Sequence, residues 1–188
     1  SGVIGIDDKW ILVCSPSAVR PHGRRPRAVW RYAYFAIDVY SYDLLALKLY
    51  PEHNDEAVRL ILLELKAKGI RPRVVVSDLD PAYGRILPQV FPNAVHHECI
   101  FHALQFWSSQ MTQVYGRYYL EKVPAVVPLH DAVANLFNAQ TQKTVRKRFA
   151  DLMAMRETYV TQNPEIATVF DSVERHFPKL VNAIESAD

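Results

Sequence analysis

The chain has 188 residues, 49% of them hydrophobic and 22% charged, with a formal net charge of +2. That balance excludes a disordered or fibrous chain and allows one substantial core, or a core with an appended subdomain. Only Cys14 and Cys99 are available for disulfides, which excludes a disulfide framework and suits a reducing compartment. No apolar run reaches the about 18 residues of a membrane span.

Ser1-Gly2 reads as a cleavage scar ahead of the first strand, so an excised domain is expected. Strand 1 is expected over Val3–Cys14, where two apolar stretches flank Asp7, Asp8 and Lys9. Charges in mid-strand are costly unless paired, metal-bound or solvated, and neighbours on a strand face opposite ways. One of Asp7 and Asp8 is therefore expected on each face, and a solvated bulge accounts for either as well as a ligand does. The connection 15–27 is rich in Pro and Gly and carries Arg20, Arg24, Arg25 and Arg27 with no acid among them. It reads equally as a phosphate-contacting patch or a solvated hairpin tip. Strands over Val29–Val39 and Leu44–Tyr50 complete an antiparallel meander, with Asp38 starting the turn between them.

A helix is expected from about Asn54 to Lys68, capped by Asn54 and stopped by Gly69, with Val58, Ile61, Leu62 and Leu65 on its core stripe. Val74-Val75-Val76-Ser77 then reads as a strand buried on both faces, running into Asp78-Leu79-Asp80-Pro81. Asp80 before Pro81 is a helix-start signature for a short helix over Pro81–Leu87. That leaves Asp78, at the carboxyl end of a buried strand, where open α/β sheets place their ligands. A fifth strand is expected over Ala94–His97.

From Cys99 onward the pattern is helical. Ile100, Leu104, Trp107, Met111, Val114 and Tyr118 form one apolar stripe, and further helices are expected over Leu129–Asn138, Thr144–Gln162 and Ile166–Glu185. Lys143, Arg146, Lys147 and Arg148 make a basic helix face, either a DNA-backbone track or a solvated surface. Cys99 and His102 have zinc-type spacing, but a closed zinc site needs four ligands and no second Cys/His pair exists.

The order β-β-β-α-β-α-β followed by helices resembles a ribonuclease-H-like five-stranded mixed sheet with a C-terminal all-α lobe. The expected division is a core over residues 3–105 and a helical lobe over 106–188. Asp7-Asp8-Lys9-Trp10 resembles the strand-1 Asp-Glu-Thr-Trp signature of bacterial insertion-sequence transposases of the DDE type. Val75-Val76-Ser77-Asp78 with Ala82-Tyr83 is similar to their second catalytic motif. His97-Glu98-Cys99-Ile100-Phe101-His102 resembles the Cys-x-x-His motif of Mutator-like relatives, and Phe35-Ala36-Ile37-Asp38 with Leu44-Leu45-Ala46 resembles their second and third strands.

The resemblance implies a catalytic core that cuts DNA and transfers strands at transposon ends by phosphoryl transfer, using two Mg2+ or Mn2+ ions. It implies Asp7 and Asp78 as the first two metal ligands, with Asp8, Cys99 and His102 near the site. Parallel pairing of strands 1 and 4 would bring Asp7 and Asp78 together. Asn182-Ala183-Ile184-Glu185-Ser186 resembles a motif carrying the third acid, which makes Glu185 the candidate; the alternative is an acid beyond Asp188. DNA partners, a homo-oligomer and a cytoplasmic, nucleoid-associated location follow from the same resemblance. Other readings are a different ribonuclease-H-like nuclease and a domesticated, non-catalytic DNA-binding or assembly domain.

Overall fold

The computed structural model describes residues 2–14 and 28–185, and the chain divides into two compact units between His96 and His97. The first unit is built on β1 (Val3–Cys14), β2 (Ala28–Asp38), β3 (Leu44–Tyr50), α1 (Asp55–Ala67), β4 (Val74–Ser77) and α2 (Pro81–Val90). With β5 (Val95–Glu98), which runs across the division, the strands form one mixed sheet in the order β3-β2-β1-β4-β5. β1 pairs antiparallel with β2 and parallel with β4, and β2 pairs antiparallel with β3. The Gly2 carbonyl starts the parallel pair by accepting the N–H groups of Arg73 at 2.7 Å and Val74 at 3.0 Å. This α/β unit with a five-stranded mixed sheet is the class the element order implies.

Alternation along the strands builds the core. Ile4 and Ile6 of β1, Tyr34 and Ala36 of β2, Ala46 of β3 and Val75 of β4 are buried on one sheet face. Val58, Ile61, Leu62 and Leu65 of α1 and Ala82, Tyr83, Ile86 and Leu87 of α2 pack onto them. Truncating any of the fully buried leucines of α1 to Ala is expected to cost roughly 2–5 kcal/mol. Asn54 caps α1 by accepting the Ala57 N–H at 2.9 Å, and Asp80 caps α2 by accepting the Ala82 N–H at 2.8 Å. Asp38 starts the β2–β3 turn, its Oδ1 accepting the N–H groups of Tyr40 at 2.9 Å and Ser41 at 3.1 Å.

Two local differences from the sequence pattern have physical reasons. α2 does not stop at Leu87 but runs through Pro88 to Val90. The proline removes one backbone bond, while burial of Val90 and Phe91 and the Phe91 N–H bond to the Leu87 carbonyl at 2.8 Å hold the last turn. In β4 only Val75 and Ser77 are buried, and Val74 and Val76 are half-buried, so the strand is not covered equally on both faces.

The second unit is all helical beyond β5: α3 (Ile100–Tyr115), α4 (Tyr119–Lys122), α5 (Val127–Ala134), α6 (Gln142–Ala154), α7 (Arg156–Gln162) and α8 (Ala167–Glu185). The single helix expected over Thr144–Gln162 is broken at Met155, whose N–H bonds to the Leu152 carbonyl three residues back and so tightens the chain. Trp107 and Met111 of α3, Leu129 of α5, Leu152 of α6 and Phe170, Val173 and Leu180 of α8 are buried together with little or no exposure. The Trp107 indole N–H donates to Ser172 Oγ at 3.0 Å, and Phe149 stacks on Phe177 with ring centroids 3.9 Å apart. No helix among the described residues is long and apolar enough to cross a membrane.

Candidate metal centre

Parallel pairing sets the first two acids. Val3 lies across from Val74 and Gly5 from Val76, and the same step carried two residues further sets Asp7 across from Asp78, one residue past the end of β4. Asp8 lies in the next row, opposite Tyr34 of β2. An oxygen of each of Asp7, Asp8 and Asp78 lies within 4.8 Å of the others. Alternation alone would separate Asp7 from Asp8. The Asp7 carboxylate instead turns along its own strand, its Oδ1 accepting the Asp8 N–H at 2.8 Å, and both acids contribute to one cluster.

The cluster is braced from α1 and α2. Asp78 Oδ1 accepts the Asp80 N–H at 3.0 Å, which ties it to the cap of α2. His53, immediately before the cap of α1, places Nε2 at 2.7 Å from Asp80 Oδ2 and Nδ1 at 3.4 Å from Asp8 Oδ2. The Tyr34 hydroxyl stands 2.8 Å from the same His53 Nδ1. Lys9 Nζ lies 3.5 Å from Asp7 Oδ2 but is largely exposed.

Burial pushes the Asp8 carboxyl above the usual carboxylate range; His53 opposes this, and the charges of Asp78, Asp7 and Asp80 add to it. The same desolvation, reinforced by these carboxylates, drives the Tyr34 and Tyr83 hydroxyls far above the usual phenol value. The Tyr83 hydroxyl is buried and has no hydrogen-bond partner among the described residues. Carboxylate oxygens are hard donors, and a small set of them with room for substrate oxygens suits Mg2+ or Mn2+. The donor set present therefore fits a divalent cation, whose charge would relieve the crowding of like charges.

The other residues singled out in the sequence are placed as follows. Arg20, Arg24, Arg25 and Arg27 lie outside the described residues. Cys99 occupies the position before α3 as a free thiol, without capping the helix through its side chain, and His102 is half-buried in the first turn of α3. Glu185 closes α8 in the backbone, and its side chain lies outside the description. On α6, Lys143, Arg146 and Lys147 are exposed. Arg148 is engaged locally, its guanidinium donating to the Asn135 carbonyl at 2.6 Å and to that of Asn138.

Two functional-looking groups carry no sequence signature of the contacts they make. His53 belongs to no motif, and only its place before the Asn54 cap, beside Tyr34, brings it to the acids. Glu98, within the His97–His102 motif, is buried in the second unit and accepts from His176 Nδ1 at 2.6 Å and Lys179 Nζ at 2.9 Å. Burial alone would raise its pKa, but these two hydrogen bonds hold it below the usual glutamate range.

No protein-family model matches the sequence, and no curated protein matches it. Among solved structures, the chain is similar to the Mos1 strand transfer complex, at 16% identity and a TM-score of 0.36, over 89% of this chain and 54% of that one. It is also similar to the Drosophila P element transposase strand transfer complex, at 12% identity and a TM-score of 0.38, over 100% of this chain and 48% of that one. The chain thus spans about half the length of these structures.

Proposed function

We propose that the chain is the catalytic core of a DDE transposase of the bacterial insertion-sequence kind, cutting DNA and transferring strands by phosphoryl transfer at transposon ends. The observation that carries this reading is the convergence of Asp7, Asp8 and Asp78 at the end of β4, on the residues that the transposase-like motifs single out. The ribonuclease-H-like reading of the fold is supported by the strand order, with β1 central and parallel to β4.

In this reading Asp7 and Asp78 would hold a pair of Mg2+ or Mn2+ ions, with Asp8 beside them. Such ions activate an attacking water or 3′-hydroxyl and stabilise the leaving oxygen. The chain's own residues fix the geometry. The β1–β4 register sets the distance between Asp7 and Asp78, the Asp80 N–H orients Asp78, and His53 holds Asp8 against the start of α1. Glu185 is the third acid of the motif. DNA phosphates are contacted by Arg20, Arg24, Arg25 and Arg27, and by the α6 face of Lys143, Arg146, Lys147 and Arg148. The motif resemblance adds Cys99 and His102 as near-site residues. The protein works as a homo-oligomer, in the cytoplasm at the nucleoid.

The test pairs Mn2+ calorimetry with strand cutting of a supercoiled plasmid. Asp78→Asn is expected to remove high-affinity Mn2+ binding and cutting while leaving DNA affinity within a factor of about two, since it takes away no phosphate contact. Equal loss of DNA affinity and cutting, or unchanged Mn2+ binding, contradicts the assignment.

A further inference from the structure

Beyond the acidic cluster, the β1–β2 pair carries an aromatic face that stays exposed among the described residues. In register, Asp8 lies opposite Tyr34, Trp10 opposite Tyr32 and Leu12 opposite Trp30, all in the row that begins with Ile4 and Ile6. That row is buried under α1 and α2 as far as Ile6, and past Asp8 the cover ends. Trp10 is 60% exposed, Leu12 51% and Trp30 49%. The rings touch one another: Trp10 and Trp30 have centroids 4.5 Å apart, and Trp10 and Tyr32 lie 6.2 Å apart and nearly parallel. Tyr32 in turn meets His53 at 5.3 Å, and His53 stands on Asp8 and Asp80. An unbroken strip of flat side chains therefore leads from the carboxylates toward the far end of the two strands.

The segment joining those strand ends, 15–27, holds Arg20, Arg24, Arg25 and Arg27 and no acid. Large exposed aromatics on two strands that the sequence joins through a basic segment match a polyanion that also presents apolar flat faces. A DNA duplex hides its base faces, whereas a single strand offers them.

We propose that Trp10 and Trp30, with Tyr32 beside them, form a stacking platform for unpaired nucleotides of a DNA single strand that lead into the carboxylate cluster. The direction of travel rests on the reading of that cluster as a DNA-processing site; the stacking itself does not.

The test is done in EDTA, so that no divalent metal takes part. The chain and its Trp10→Ala, Trp30→Ala and Trp10→Phe variants are titrated with fluorescein-labelled oligothymidylate and with a duplex of equal length, by anisotropy and tryptophan emission. Trp107 is fully buried, so quenching reports the two exposed indoles. Expected is tighter binding of the single strand than of the duplex. Each Ala variant should lose about tenfold in single-strand affinity, Trp10→Phe should keep most of it, and duplex affinity should stay nearly unchanged. Ala variants that bind oligothymidylate like the parent chain overturn the proposal. So does a Trp10→Ala variant that only turns a sedimenting dimer into monomer, which would assign the face to a second copy. If the cluster reading fails instead, plasmid cutting is absent while oligothymidylate binding and its loss in the variants remain.

Discussion

Two carboxylates in this chain, Glu98 buried and Asp8 half-buried, meet opposite solutions to the same problem. Glu98 is almost wholly inside the second unit and is matched by His176 and Lys179, so its charge is satisfied within the chain and its pKa is held low. Asp8 is less enclosed, yet its pKa is raised, chiefly by burial; the imidazole of His53 opposes this, and the charges of Asp78, Asp7 and Asp80 add to it. A carboxylate kept for structure is balanced by the chain's own cations. A cluster in which acids face one another gains from a cation supplied from outside, and that difference separates a scaffold interaction from a binding site.

The sharpest way to break the comparison is on activity. Asp78→Asn is expected to lower strand cutting at least about a hundredfold, the loss of several kcal/mol of metal-assisted stabilisation, with thermal stability unchanged or slightly higher because a like charge has gone. A mutant that unfolds would place Asp78 with Glu98 instead. Glu98→Ala is the converse: it should cost about 3 kcal/mol in urea unfolding of the helical unit by leaving His176 and Lys179 unmatched, with no change in Mn2+ affinity at the acids.

The Glu98 pair also has a definite pH signature. Its folded pKa is depressed below the usual value of 4.5, so its stabilisation is fully present above that value and is lost as pH falls through the lower folded one. The stability gap between the parent chain and Glu98→Gln should shrink as pH falls below the usual glutamate value. A gap that stays unchanged in acid would remove the pair from the comparison.

Magnesium should act on the other cluster alone. At a hundred times its Kd it is expected to stabilise the chain by about 2.7 kcal/mol, seen as a rise in Tm that Asp78→Asn abolishes and Glu98→Ala preserves. The smallest effect is expected from Asn54→Ala, which removes the cap of α1 at a cost of about 1 kcal/mol. Because His53 precedes that cap, the substitution should also weaken the magnesium-induced rise, measured by the same melts.

What was legible in the sequence follows the range of the interactions concerned. The sheet, α1 and its cap, and the pairing of Asp7 with Asp78 follow from local periodicity and one parallel crossover. The place of Asp8 does not, because strand alternation sends it away from Asp7, and only the turn of the Asp7 carboxylate onto the Asp8 N–H brings both to one cluster. His53 and Glu98 were illegible for a related reason. Their partners, Asp8 and Asp80 for one and His176 and Lys179 for the other, are far apart in the chain, and no spacing rule connects them. The run of α2 through Pro88 and the break at Met155 went the other way, since burial and a tightened turn decided what propensity alone did not.

The bond pair at the Gly2 carbonyl has a consequence for how such a chain can vary. It anchors the count of residues from which both Asp7 and Asp78 are reached along adjacent strands. Exchanging Ile4 or Ile6 for another apolar residue keeps that count. Inserting or deleting one residue between Gly2 and Asp7 would turn every later side chain of β1 to the opposite face, sending isoleucine outward and lifting Asp7 off Asp78 while composition hardly changed. Along this stretch, descendants of the sequence are free to drift in spelling but not in length.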